Sequence, residues 1–383
     1  MVYRVGIIGT GVDPKTKSRD GYAMAYRHAP GYRRLDDCEL VACADIIPEH
    51  AASFASHFEL DDWFDSHIKM LEGVDLDIVS ICVPPSAHAE LVLDCATHGD
   101  LQAIHCEKPM ATSWGACSEM VDTCDDNDVQ LTINHQRRLS IPVQEAKARI
   151  DGGMIGPIRR LEWSEVNLFD AGSHLFDLCD HFTDGATPAW ALAAVDIDPD
   201  NRWFGAINDA HGIATWGYTN GVLGLASTAE ASDQTVVDPY LRIVGEDGII
   251  EIQHPDGPPL RIDTGDGWQT VDTNGETVYR PSSSLAAAAT NKLIKNIPGM
   301  SGNWIGEPSH YERAIEHVVS GIRDGIEPVI SGRRVIRGTE LIFACYESAS
   351  RRERVDLPLS IEGNPLDTML SEKFPEEMTS ASD

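Results

Sequence analysis

Tyr3-Arg4-Val5-Gly6-Ile7-Ile8 is a short β-rich run that enters the glycine turn Gly9-Thr10-Gly11, and a helical pattern follows from about Gly21 in YAMAYRHA. Strand, glycine turn and helix open a dinucleotide-binding unit: the glycines let the backbone approach a pyrophosphate, and the helix N-terminus supplies amide donors and dipole charge. The GxGxxG spacing is incomplete, because Pro14 stands in place of the third glycine and VDPKTKSRD (12–20) intervenes before Gly21. A tight strand-to-helix turn without a ligand would look the same. Asp45 separates the two readings. It ends the second apolar run, ELVACA (39–44), where an acid accepts hydrogen bonds from an adenosine ribose. Its separation from Gly11 exceeds the usual spacing by about the length of the insertion. Together these features predict a nucleotide cofactor. Ile46, Ile47 and Pro48 follow Asp45 where an arginine or serine would suit a 2′-phosphate, which favours NAD over NADP. Lys15, Lys17 and Arg19 are the counterweight, since a basic loop could neutralise that phosphate.

The alternation continues downstream. Helices are expected around Pro48–Phe58, Ala87–Thr97 and Ser113–Asn127, and strands at Leu76–Val83, Gln102–Cys106 and Val129–Asn134. Strands alternating with helices imply right-handed βαβ units in a parallel sheet, so residues 1–135 are expected to form a Rossmann domain. The texture then changes. After a helix near Pro142–Asp151 come strands at Ile158–Val166, a helical stretch at Gly172–Phe182, and turn-punctuated strands at Ala189–Ile197, Asp209–Tyr218, Val222–Ala231, Tyr240–Val244 and Gly248–Gln253. Helical pattern returns at Ser309–Asp324 and Gly332–Arg351. The overall class is α/β, with residues 136–359 as a substrate-binding and oligomerisation domain around a large, mainly antiparallel open sheet. Residues 360–383 read as an acidic, loosely held tail.

The chain carries 61 acidic and 30 basic residues, a net charge of −31, which argues against nucleic acid or an anionic membrane as partner. Asp (36) exceeds Glu (25), and Lys falls to 8 beside 22 Arg, a balance expected of a surface adapted to concentrated salt. An ordinary acidic bacterial enzyme is the alternative. No run reaches the roughly 18 apolar residues of a membrane span, and the N-terminus lacks a signal-peptide pattern, so a cytoplasmic protein is expected. Nine cysteines without a CxxC pair read as buried reduced thiols, and the 14 histidines show no metal-ligand spacing.

Glu107-Lys108-Pro109 closes the strand Gln102–Cys106, and ligands gather at the carboxyl ends of strands in an open α/β sheet. Asp170-Ala171-Gly172-Ser173-His174 begins a helical stretch in which Asp170 can reach toward the imidazole or toward a shared ligand. Oxidising a secondary alcohol needs a base for the hydroxyl proton, and histidine titrates near the required pH. A lysine cation stabilises the developing alkoxide. Singly, each residue has a bland explanation as a turn, a helix start or a cap. Together they suggest His174 as base, Lys108 as charge stabiliser and Asp170 as the group orienting substrate or His174.

With GIIGTG (6–11), Asp45, Val83-Pro84-Pro85 and His88, EKP (107–109), NHQRR (134–138), DAGSH (170–174) with Asp177, EPVISGRR (327–334) and ACYESA (344–349), the chain resembles the glucose–fructose oxidoreductase and inositol dehydrogenase family, Gfo/Idh/MocA, over about residues 3–359. The resemblance implies a Rossmann domain followed by an α/β domain, NAD(P)-dependent oxidation or reduction of a sugar or cyclitol, and homodimers or homotetramers. It carries the family's lysine onto Lys108, its histidine onto His174 and its aspartate onto Asp170, and implies a cis peptide before Pro109. The expected cofactor set is Gly9, Thr10, Gly11, Asp45, Pro84, His88, Glu107 and Lys108, and the substrate set is Lys108, Arg137, Asp170 and His174. His88 either lines the nicotinamide side or starts a helix, and Arg137 either binds substrate or pairs with the acidic surface. His105, His181 and His211 read as structural. The chain departs from the family in the loop 12–20, which unsettles the pyrophosphate contacts, and in the short segment between Ile158 and Asp170. A glycosidase using bound NAD as a redox catalyst would need the same turn, lysine and histidine. A regulatory protein on this scaffold would ordinarily have lost the lysine or histidine.

Overall fold

Strands β1 (Tyr3–Ile8), β2 (Cys38–Ala44), β3 (Asp62–Phe64), β4 (Ile78–Ile81), β5 (Ala103–Cys106) and β6 (Gln130–Ile133) lie parallel in the spatial order 3-2-1-4-5-6. The computed structural model describes residues 2–13, 23–98, 100–229, 235–281 and 307–375. The chain divides into two compact units, the first made of Met1–Ala111, Ser118–Leu139 and Pro281–Arg333, the second of Thr112–Cys117, Ser140–Arg280 and Arg334–Asp383.

In the first unit the strands read as near-continuous apolar runs because helices cover them, as parallel sheets require. Val5, Ile7, Ile78, Val79, Ala103 and Ile104 have no exposed surface. Helices α1 (Ala25–Arg33), α2 (Pro48–Phe58), α3 (His67–Gly73), α4 (His88–His98) and α5 (Trp114–Asp126) connect the strands. Phe54 and Phe58 of α2 pack on Ile7, Cys43 and Ala29. The strand Asp62–Phe64 and helix His67–Gly73 escape the sequence reading: a three-residue edge strand with two exposed positions has no apolar run to show. The order reverses between β1 and β4, the switch point at which such sheets bind ligands.

The second compact unit is not one continuous stretch of the chain. After α6 (Ile141–Asp151) and the second sheet, α8 (His310–Asp324) returns to the first unit, where Ile315, Val318 and Val319 join Tyr3, Val5, Tyr32 and Ile78 in one buried cluster. The amphipathic face of α8 needs an apolar partner, and the outer side of β1 and α1 supplies it. Its start is fixed by a capping box: Ser309 Oγ accepts from the Glu312 amide while the Glu312 carboxylate accepts from the Ser309 amide.

The second unit holds a nine-stranded sheet. In chain order its strands are β7 (Ile158–Glu165), β8 (Pro188–Trp203), β9 (Ala206–Tyr218), β10 (Leu223–Thr228), β11 (Leu241–Gly245), β12 (Ile249–Ile252), β13 (Leu260–Asp263), β14 (Gln269–Thr270) and β15 (Val355–Asp356). They lie in the order 14-13-12-11-7-10-9-8-15, and only the β7–β10 pair is parallel. Helices α7 (Ser173–Phe182) and α9 (Gly332–Arg351) bury their apolar faces here. Trp163, Phe176 and Trp216 stack at 4.9–6.2 Å between ring centroids. Gly224 makes room for them: a Cβ there would lie 1.9 Å from Trp216 Cε2. The tail is not loose from Ser360 onward. Helix α10 (Pro365–Lys373), capped by Asn364, buries Leu366 and Leu370, two apolar residues too few to stand out in an acidic segment.

Candidate active site

Gly9 follows β1 with φ +83°, and a Cβ there would lie 2.4 Å from Val83 Cγ1 and 2.9 Å from the Cys82 carbonyl oxygen. Any side chain would therefore close the gap between the ends of β1 and β4. Gly11 also has positive φ, +62°, and leaves space above the turn. Asp45, buried at the end of β2, ties the turn down: its carboxylate accepts from the Gly11 amide at 2.9 Å, the Thr10 hydroxyl at 3.1 Å and the Ile47 amide at 2.9 Å. The turn is thus a glycine bend braced by an anion at the end of β2, at the place where a Rossmann fold can hold a dinucleotide. Lys15, Lys17, Arg19 and Gly21 lie outside the described residues.

Lys108 is half-buried directly after β5, and its peptide bond to Pro109 is cis. Beneath it lies a buried polar chain. Glu107 Oε1 meets His28 Nε2 at 2.8 Å and accepts from Asn134 Nδ2 at 2.7 Å. His28 Nδ1 meets Ser80 Oγ at 3.0 Å, and Ser80 meets the Tyr32 hydroxyl at 3.0 Å. Burial pushes the Glu107 carboxyl up, but the His28 hydrogen bond and charge, the Asn134 amide and the Lys108 cation outweigh it and bring the group down to about 2. An ionised Glu107 only accepts, so His28 Nε2 carries a proton toward it, and the contacts from His28 Nδ1 to Ser80 and from Ser80 to Tyr32 extend the chain away from the strand end. His105 stacks on His28 with centroids 4.9 Å apart and bonds Thr132. Burial and the His28 charge lower it to about 3. His135 is held neutral by burial and by the cations of Arg138 and Lys108.

Two of the expected cofactor contacts are placed differently. His88 has no exposed surface, and its Nδ1 and Nε2 lie 2.8 Å and 2.9 Å from the carbonyl oxygens of Pro109 and Val83. It clamps the loops after β4 and β5 to each other and starts α4, while Pro84 and Ser86 between β4 and α4 are exposed. Glu107 is buried and turned to His28 and Asn134, which hold its carboxylate. Arg137 is half-buried in the 3₁₀ turn Gln136–Leu139.

In the second unit, Asp170 is half-buried and His174 buried at the start of α7, with Asp177 buried one turn on. The turn before the helix is braced throughout. Asn167 Oδ1 accepts from the Ala171 amide at 2.9 Å, Asn208 Oδ1 from the Asp170 amide at 3.2 Å, and Asp209 Oδ1 from the Leu168 amide at 2.8 Å. Sequence reasoning missed His28, Ser80, Asn208 and Asp209. Partners such as Glu107 for His28, Asp170 for Asn208 and Tyr346 for Asp209 lie 38 to 137 positions away, so no local pattern marks them. Among the described residues, no group of three or more His, Cys, Asp or Glu side chains could hold a metal ion. No helix of the described residues is long and apolar enough to cross a membrane.

Comparison with known proteins agrees with this architecture. Residues 3–135 match the oxidoreductase family domain described as an NAD-binding Rossmann fold, and residues 147–357 match that family's C-terminal alpha/beta domain. An inositol 2-dehydrogenase of Rhizobium meliloti is 26% identical over 390 residues, covering 93% of this chain and 100% of that protein. A D-apiose dehydrogenase of Rhizobium rhizogenes is 24% identical, covering 88% of this chain and 94% of its own. The crystal structure of an oxidoreductase from Agrobacterium radiobacter, in complex with NAD+, L-tartaric acid and magnesium, superposes with a TM-score of 0.72 at 18% identity, over 93% of this chain and 98% of that one. With both domains matched in order, the chain belongs to the Gfo/Idh/MocA oxidoreductase family, whose first domain is an NAD-binding Rossmann fold.

Proposed function

We propose that the protein is an NAD-dependent dehydrogenase of a sugar or cyclitol. The observation that carries the reading is the pairing of an anion-braced glycine cradle at the β1–β4 switch point with a half-buried lysine at the carboxyl end of β5 in the same sheet. The full-length relatives named for inositol and apiose supply the substrate class. When bound, the nicotinamide accepts or returns a hydride. His174 takes the hydroxyl proton, Lys108 stabilises the alkoxide oxygen, and Asp170 orients the substrate or His174. Gly9, Thr10, Gly11 and Asp45 hold the dinucleotide, with Pro84 beside it, and Arg137 contacts the substrate.

The test is to incubate the protein with NAD or NADP and a panel of sugars, inositols and glycosides in high salt, recording reduced cofactor and released aglycone. Net NADH formation with a free polyol supports the reading. Release of aglycone without net NADH would instead make the protein a glycosidase with resident NAD. The same preparation tests a second part of the proposal, that the carboxylate-rich, lysine-poor surface is adapted to salt. Uncompensated charges repel when screening is weak, so the melting temperature is expected to fall from molar KCl to dilute buffer. An unchanged or higher value in dilute buffer would end the halophile reading.

A further inference from the structure

We propose that Asp209, with Asn208 beside it and Tyr346 behind it, is a positioning residue that sets the backbone carrying Asp170 and His174. The inference rests on the reading that those two residues serve the reaction.

Asn208 and Asp209 lie near the start of β9, and neither side chain is exposed, nor is Tyr346 on α9. A fully buried carboxylate needs a reason, because its desolvation is costly unless donors surround it. Asp209 has three: the Tyr346 hydroxyl at 2.6 Å and the Leu168 amide at 2.8 Å on Oδ1, and the Thr228 hydroxyl at 2.8 Å on Oδ2. Two come from the framework, one from β10 and one from α9. The third comes from the turn that precedes α7, so the carboxylate joins the turn to the body of the unit.

Asn208 continues the attachment two residues on by accepting from the Asp170 amide at 3.2 Å. The turn has little freedom left. Gly172 donates to the Asn167 carbonyl at 3.0 Å, and a Cβ on Gly172 would lie 2.5 Å from the Leu168 carbonyl oxygen. Ser173 Oγ donates to the Asp170 carbonyl at 2.9 Å. The bonds by which Asp209, Asn208 and Ser173 hold the turn thus end on backbone groups of Leu168 and Asp170. Adjacent residues of one strand thus hold the amides of Leu168 and Asp170, which determines where the reactive side chains begin. A shift of about 1 Å in such a group can cost roughly a hundredfold in rate.

The experiment compares wild type with Asp209→Ala, Asp209→Asn and Tyr346→Phe. It measures hydrogen exchange of the 165–175 segment, NADH binding by fluorescence, and kcat and KM on any substrate found in the panel. Asparagine keeps an acceptor for Leu168 and Tyr346, and the Thr228 hydroxyl can turn to accept. Asp209→Ala is expected to speed exchange at Leu168 and Asp170 at least about tenfold and to lower kcat roughly ten- to a hundredfold, with NADH affinity unchanged. Asp209→Asn should restore both. If Asp209→Ala does not fold, Tyr346→Phe carries the test, with faster exchange confined to the same segment. Wild-type exchange there in a folded Asp209→Ala or Tyr346→Phe variant overturns the proposal. Exchange needs no substrate, so a panel that yields no turnover defeats the dehydrogenase reading and leaves the anchoring role decided by exchange.

Discussion

Glu107 and Asp209 are both buried carboxylates, one beneath Lys108 in the first unit and one beneath the Asp170 turn in the second. Their environments drive them in opposite directions. Burial pushes both up, yet Glu107 descends to about 2 because His28, Asn134 and Lys108 favour its anion. Asp209 stays raised because burial outweighs the Tyr346, Leu168 and Thr228 donors, all of them neutral. Burial alone therefore does not dictate ionisation; the charge of the partners does. The first carboxylate is a fixed anion that balances a cation at the site, and the second is an anchor of dipoles. If the two units divide the work in this way, each should be indispensable for turnover while their responses to pH differ.

The largest effect tests indispensability. Lys108→Ala and His174→Ala are each expected to lower turnover by at least about a hundredfold with the fold intact, the scale of losing a charge-stabilising or proton-transferring group. Steady-state kinetics on variants with wild-type melting temperature decide it. Near-normal turnover in either variant removes that unit's residue from the mechanism and breaks the comparison.

Next in size is Glu107→Gln. A carboxyl lowered from 4.5 to about 2 on folding contributes on the order of 3 kcal/mol of stability. That contribution is present above the unfolded value and lost as pH falls through the folded one. The stability gap between wild type and Glu107→Gln, measured by urea unfolding at constant KCl, is thus expected to be full at neutral pH and to shrink below about pH 4.5. A gap that holds constant down to pH 3 would mean that the anion is not what His28 and Lys108 recognise.

Asp45 is a third buried carboxylate, and all three donors it meets within hydrogen-bond distance are uncharged. It braces the glycine turn. The expectation is that NAD is preferred to NADP and that Asp45→Ala weakens NAD binding by about tenfold without improving turnover. Catalytic efficiencies with both cofactors at equal salt measure it. Should NADP win in the wild type, the basic residues of the 12–20 loop would be setting specificity.

Much of this architecture is legible in the residues themselves, for identifiable reasons. Apolar runs such as Ile78–Ile81 and the periodic faces of Pro48–Phe58 and Gly332–Arg351 carry their own signal. So do Gly9 and Gly11, whose positive φ only glycine adopts freely. What stays hidden is whatever depends on distant partners. The short strand Asp62–Phe64 acquires its identity from pairing with Ala42–Ala44, and helix α8 joins a sheet whose strands lie roughly two to three hundred positions earlier. At the site, Lys108, His174 and Asp170 stand in recognisable local patterns. His28 and Asp209 do not, since their importance comes from contacts across the fold. His88, open between a nicotinamide role and a helix start, begins α4 with its ring turned to backbone carbonyls, contacts that only the folded chain reveals.

The smallest expected effect sharpens the comparison most. Asp209 has a folded value above its unfolded one, so its contribution is fully present at low pH and is lost as pH rises through the folded value. Asparagine is neutral at every pH and keeps the acceptor for Leu168 and Tyr346. Asp209→Asn should therefore lie within about 1 kcal/mol of wild type, the scale of one net hydrogen bond, and improve relative to wild type as pH rises. Glu107→Gln should do the reverse, losing ground relative to wild type as pH rises from the acid range to neutrality. The same urea series run on both variants gives the two slopes under one set of salt conditions, so the background of 61 acidic residues cancels in each difference. Slopes of opposite sign establish that partner charge separates the two carboxylates. Slopes of the same sign would mean that burial governs both, and the distinction between a fixed anion and a dipole anchor would then fall.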